Sequence, residues 1–434
     1  MAEQEKVMNR WLVVVGAILV QLCLGAIYAW SVFTKKITAA DGVYQFTATQ
    51  AAWVFSAGLA TFAIVMVLVG PWAKKEPKKA TMLGGAVLGL GYILGGFLGK
   101  SFMMQFICIG LIGGAGIGIA YVVPIAVGLK WFPDKKGMIA GLGVAGFGFG
   151  ATIWVKLAGS WFGGLLNTTS LFGLPGVQSV FIIYGIVFAI VVFLGSLVMI
   201  DPPEGYKPLG WAPPAAASGK PGAIEMTSRQ MLGTPQYYML LLMFTGSGLA
   251  GLMVIYCIRL FGIDALQASS VAENAEIAGK IAGTAMASYA IFNGLGRIIW
   301  GTVSDKIGRK MALIAMCAFQ GVIMMLFLKM GGSKAGLIVG ASIIGFNFGG
   351  NFALFPTATS DFFGTKNLGP NYGWVFLAYA VAGIAGPQVA GFFKDAAKTS
   401  GAGVSAWSTP FIIAGIACLV AAGIGLALKP PKAA

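Results

Sequence analysis

Long apolar runs, each closed by a short stretch of charge, glycine or proline, repeat from one end of the chain to the other. They lie at roughly 11–34, 49–73, 80–99, 103–129, 137–160, 178–200, 237–260, 282–303, 310–330, 335–360, 372–393 and 407–428. Each run is long enough to cross ~30 Å of hydrocarbon as a helix, and none alternates with the period of two that marks a membrane barrel strand. The pattern predicts an all-α membrane protein with twelve transmembrane helices.

Between the sixth and seventh runs stands "DPPEGYKPLGWAPPAAASGKPGAIEMTSRQ", whose proline, alanine and glycine cannot bury a core. The expected organisation is a six-helix half over 1–200, a cytoplasmic linker over 201–236 and a second six-helix half over 237–434. The halves echo each other: "GPWAKKEPKK" follows the second run and "GTVSDKIGRK" the eighth, so that Gly70 pairs with Gly301 and Lys78 with Arg309. Parallel repeats imply a pseudo-two-fold axis along the membrane normal, with a cavity between the halves near the midplane.

Composition agrees with this picture and narrows it. Of 434 residues, 58% are hydrophobic and 10% charged, with a mean hydropathy of +0.84. The net charge of +15 sits in short loops, where it reports topology and not nucleic-acid binding. Lys74 to Lys79, Lys130 to Lys136 and Lys306 to Lys310 all fall on the side of the termini, so both ends are expected in the cytoplasm of a cell (inner) membrane protein. The first run is too long for a signal-peptide core and is read as a retained span. The five cysteines are widely spaced inside apolar runs and histidine is absent, which excludes histidine chemistry and leaves no metal or disulfide pattern. A formal G-x-G-x-x-G at Gly141, Gly143 and Gly146 lies in a span with no strand before it, and no Walker-type loop occurs, so no cofactor or nucleotide is expected.

One charge breaks the apolar pattern. Arg297, in "NGLGRIIWG", lies ~20 Å along the eighth run, where a guanidinium costs at least ~2.5 kcal/mol. No carboxylate stands in the predicted spans except Asp361, near a cytoplasmic end. A planar guanidinium binds a carboxylate through two parallel hydrogen bonds, so the missing anion is expected to be the substrate. Asn293, four residues earlier, shares the helix face and either donates to that carboxylate or orients the arginine. Lys156 is read as a snorkelling end residue of the fifth span, or as a guide for anions.

"GTVSDKIGRK" closely matches the signature of the major facilitator superfamily, and "WFPDKKG", "NGLGRIIWGTVSDKIGR", "FNFGGNFALFPTATSDFFG" and "NLGPNYG" resemble its oxalate/formate antiporter branch, close to bacterial monocarboxylate transporters. The resemblance implies that Arg297 is the substrate-binding cation. It further implies a cavity lined by Tyr28, Tyr121, Asn347, Asn351 and Tyr379, with Phe147, Phe348, Phe352 and Leu24 as apolar walls. Gly301, Asp305, Gly308 and Arg309 would form the cytoplasmic gate. In the first-half copy, Lys74 replaces the aspartate and Pro77 a glycine, so the gate is expected mainly in the second half. The resemblance also implies a monomeric carrier for small monocarboxylates of the lactate, pyruvate or formate kind, with a co-transported proton. Related animal carriers place a carboxylate where this chain has Asn293, and oxalate-exchanging relatives place a lysine where it has Tyr379. Carboxylate exchange and a sensor that binds without transporting stay open, while a membrane enzyme finds no support.

Overall fold

The computed structural model describes residues 8–132, 136–203, 206–208, 225–364, 367–429 and 431. Half of the expected linker, 204–205 and 209–224, lies outside these residues, as do the side chains of Lys74 and Asp305. The described chain is helical throughout its apolar runs: α1 (Arg10–Ile37), α2 (Ala48–Lys75), α3 (Pro77–Leu98), α4 (Phe102–Gly128), α5 (Lys136–Gly159), α6 (Gly176–Ser196), α7 (Pro235–Ala268), α8 (Ala275–Ile307), α9 (Arg309–Met330), α10 (Lys334–Phe363), α11 (Leu368–Ser400) and α12 (Ser408–Ala427). Among the described residues, ten of these are long and apolar enough to cross a membrane by that measure alone. The exceptions are α5 and α8, and in α8 glycines, hydroxyl residues, Asn293 and Arg297 dilute the apolar character.

Packing repeats with a shift of six helices. Helices α3 and α6 pair as α9 and α12 do; α1 and α5 pair as α7 and α11 do; α2 and α4 pair as α8 and α10 do. The two sets of six then meet along two seams, α2 against α11 and α5 against α8. The site lies where these seams converge.

Two local features bring backbones together there. Helix α1 tightens to a 3-10 turn over Gly25–Ala29, and a side chain at Gly25 would place its Cβ 2.0 Å from the Phe147 carbonyl of α5. Only glycine permits that approach. Between α8 and α9 the chain reverses at Gly308, whose φ of +84° favours glycine.

Helices α7 and α11 run longer than their apolar cores, past Asp264 and Asp395. Sequence pattern ends these spans early because charge falls inside the last turns. Asp264 accepts from Lys394 and, at 2.8 Å, from the Trp407 indole, so the charges are satisfied near the helix ends.

Candidate functional site

Arg297 is 2% exposed and sits 22 residues into α8, with nearly three further turns before its end. Asn293 lies one turn earlier on the same face, and its Oδ1 accepts from the arginine Nε at 3.2 Å and from Nη2 at 3.0 Å. The third bond leaves the helix: Nη1 donates to the Val144 carbonyl of α5 at 3.0 Å. These three bonds engage three of the five guanidinium N–H groups. Among the described residues no carboxylate pairs with Arg297, so its charge is met by neutral oxygens alone. The amide nitrogen of Asn293 is buried without a partner. The Tyr28 and Tyr121 hydroxyls also lie against the guanidinium, so the arginine, the asparagine amide and two phenols gather donors that a carboxylate can accept from.

Aromatic rings enclose this group. The guanidinium carbon lies 4.1 Å from the Phe352 ring centroid and 5.9 Å from that of Phe147, contacts that stabilise a desolvated cation by roughly 0.5–2 kcal/mol. Tyr28, held in the 3-10 turn of α1, packs edge-on to Phe147 at 5.0 Å and accepts a 2.9 Å hydrogen bond from the Tyr379 hydroxyl of α11. Tyr121 of α4 packs on Phe147 at 5.4 Å, and Phe352 on Tyr379 at 5.8 Å. Phe348 lies 6.0 Å from Tyr28 and 5.3 Å from Phe352. Leu24, at the end of the first regular stretch of α1, is fully buried in the same core.

Rings that the sequence reading did not single out complete the enclosure. Phe62 of α2 touches Tyr121 at 4.8 Å and Tyr379 at 5.6 Å. Phe376 of α11 stacks on Tyr379 at 4.9 Å, and Tyr372 packs on Phe376 at 5.6 Å. Their sequence signal is one turn of spacing: Tyr372, Phe376 and Tyr379 share a face of α11.

Asn347 and Asn351 are placed differently. The Asn347 Oδ1 accepts from the Trp300 indole at 3.2 Å and the Asn351 Oδ1 from the Ser247 hydroxyl at 2.9 Å. Neither is hydrogen-bonded to Arg297, so these amides tie α10 to α8 and to α7.

At the end of α8 nearer the termini, Arg309 donates to Asp361 at 3.2 Å and to the Ser304 hydroxyl. These bonds join α8, α9 and α10 to one another around the Gly308 reversal. Gly301 lies on α8 facing Ala353, and the Asp305 side chain lies outside the described residues.

Further ties between the first and last six helices run from Arg297 toward the end opposite the termini. Thr152 donates to the Ala287 carbonyl at 3.1 Å. Asp395 accepts from the backbone N–H groups of Ala48 and Thr49 at 2.9 and 2.8 Å, capping the N-terminus of α2. Tyr256 of α7 donates to the Ala48 carbonyl. The seam is thus fastened at that end.

Comparison with known proteins agrees with this architecture. The family model described as Major Facilitator Superfamily matches residues 10–387 and 266–434. The oxalate:formate antiporter of Oxalobacter formigenes is 27% identical, over 97% of this chain and 92% of its own. The apicoplast pyruvate carrier 1 of Toxoplasma gondii is 25% identical, over 85% of this chain and 81% of its own. Among solved structures, a bacterial homolog of the human lysosomal transporter Spinster, inward-facing and unoccupied, superposes with a TM-score of 0.65 at 18% identity, covering 96% of each chain.

Proposed function

Because the chain belongs to the Major Facilitator Superfamily, as a multi-pass membrane transporter and not an enzyme, we propose that it moves small monocarboxylates by alternating access around Arg297. The observation that carries the proposal is the buried guanidinium that no carboxylate among the described residues pairs with, on the same helix face as the unpartnered Asn293 amide nitrogen. A carboxylate bridging these donors turns an expensive buried charge into a satisfied pair. The surrounding rings accept a short apolar tail, and the Tyr28 and Tyr379 hydroxyls suit a keto or hydroxyl oxygen. The two named relatives, a pyruvate carrier and an oxalate:formate antiporter, support a small carboxylate as cargo.

The proposed roles follow the geometry. Arg297 and Asn293 bind the carboxylate; Tyr28, Tyr121 and Tyr379 select its substituent; Phe147, Phe348 and Phe352 exclude water, with Leu24 behind them. Gly301, Asp305, Gly308 and Arg309 gate the end nearer the termini, and Asn347 and Asn351 support α10. The proposed orientation keeps both termini in the cytoplasm, with halves 1–200 and 237–434 rocking about the linker as a monomer.

Proton symport is the proposed coupling, and exchange is the second reading because one of the relatives is an antiporter. Uptake of radiolabelled pyruvate, lactate and formate into proteoliposomes tests both. Symport predicts faster uptake under an inward proton gradient. Indifference to the gradient, with acceleration by carboxylate preloaded inside, establishes exchange instead. Uptake by Arg297→Ala equal to wild type removes the central claim.

A further inference from the structure

A second arginine lies inside the bundle, on α7, more than a turn in from its end. Arg259 forms no hydrogen bond or ion pair with any described residue, and its Nε is buried without a partner. It occupies a slot walled by glycine. A Cβ added at Gly279 would lie 3.2 Å from Nη2, one at Gly283 3.3 Å from Nη1, and one at Gly159 3.8 Å from Nη1. Gly279 and Gly283 are one turn apart on α8, so the slot runs along the seam between α5 and α8.

Two lysines converge on it from the first six helices. The same Cβ at Gly279 would lie 3.6 Å from Lys35 Nζ, and Lys35 donates to the Ala275 carbonyl at 2.9 Å. Lys156 donates to the Thr284 hydroxyl across the seam at 3.2 Å. The carboxylate that faces this group is Glu276 at the start of α8, which is exposed and paired with Lys280 at 2.8 Å. Three cations therefore lie along the closed end of the seam, and among the described residues the half-buried one, Arg259, has no anion beside it.

An arginine drawn partly out of water, with its Nε buried and unbonded, carries a desolvation cost that no protein group among the described residues offsets. The geometry points to a second anion site, formed by Arg259 with Lys35 and Lys156, that receives a small carboxylate about 21–27 Å from Arg297 along α8. It goes beyond the proposed role of Arg297, because it lies at the mouth of the seam opposite the termini and concentrates anions before the halves part.

Initial uptake rates of pyruvate in proteoliposomes, at low and high ionic strength, test the site through Arg259→Gln, Lys156→Gln and Arg259→Lys. At low salt the two glutamine variants are expected to raise KM by about threefold to tenfold, with maximal rate within about twofold of wild type. High salt should shrink that difference by screening, and Arg259→Lys should recover most of it. An unchanged KM in both glutamine variants at low salt, or a fall in maximal rate alone, overturns the proposal. A second measurement does not depend on transport: carbon-13 pyruvate binding by nuclear magnetic resonance to Arg297→Ala in detergent. Weak residual binding that disappears in Arg297→Ala with Arg259→Gln is expected, and no residual binding in Arg297→Ala overturns the site. If pyruvate instead binds Arg297→Ala as tightly as wild type, the central reading fails while the loss caused by Arg259→Gln still supports the second site.

Discussion

At the scale of the residue, Arg297 and Asn293 form one unit, and the cleanest perturbation is to supply the missing charge internally. Asn293→Asp places a carboxylate where an amide oxygen now accepts from Nε and Nη2. The expected outcome is a folded protein, with a melting temperature no lower than wild type, whose monocarboxylate binding falls by at least about tenfold, since an internal pair now competes with the substrate. Thermal unfolding together with equilibrium binding decides this. Arg297→Lys is expected to lose a similar factor or more, because a point charge cannot hold two parallel bonds. In the proposed site Arg297 is the cation offered to the cargo, so oxalate would leave its second carboxylate unpaired, and Tyr379→Lys should shift preference toward it. Competition by oxalate against labelled pyruvate measures the shift, and equal competition in wild type contradicts it.

At the scale of the element, close backbone approach is what holds the site together. On α10, a Cβ at Gly349 would lie 2.0 Å from the Asn293 carbonyl, and one at Gly345 2.3 Å from that of Tyr289. Gly349→Val is therefore expected to push α10 off α8 at Asn293, a residue of the proposed site. A cost of about 1–3 kcal/mol should appear as a lower melting temperature and reduced yield of folded protein in detergent, with lost uptake. The same elements explain what sequence could and could not reveal. A lone arginine in an apolar run, with an amide one turn before it, is visible without a fold, because helical spacing alone puts them on one face. The Tyr28 and Tyr379 pair is joined across 351 positions, so only the fold, which brings a side chain of α1 and one of α11 into the same core, reveals it. Asn347 and Asn351 look equivalent to Asn293 in sequence, yet Trp300 and Ser247 engage them instead. Periodicity placed all twelve helices but ended α7 and α11 early, where Asp264 and Asp395 find partners in the fold.

At the scale of the whole molecule, the seam is fastened at one end by a carboxylate on a helix N-terminus. Asp395 receives two backbone N–H groups of α2, an arrangement strengthened by the helix dipole. Asp395→Asn keeps the shape and removes the charge, and should raise the population open at the end opposite the termini. Spin labels at Val43 and Val271, both exposed loop positions at that end, should report a larger fraction of long distances by double electron–electron resonance. An unchanged distribution would show that the seam closes without this cap.

The bond from Arg297 to the Val144 carbonyl makes the arginine a bridge between α8 and α5, that is, between the two halves of the proposed rocking motion. Before the bodies can swing apart along α5 and α8, that bridge has to break, and in the empty protein it breaks with no replacement. In the proposed cycle an arriving anion takes over the same N–H groups and lowers the barrier, so the loaded protein is expected to turn over its faces faster than the empty one. Tracer flux against an equal unlabelled pool should accordingly outrun net efflux into carboxylate-free buffer. Equal rates would mean that the backbone oxygen of residue 144 is a bystander to the motion.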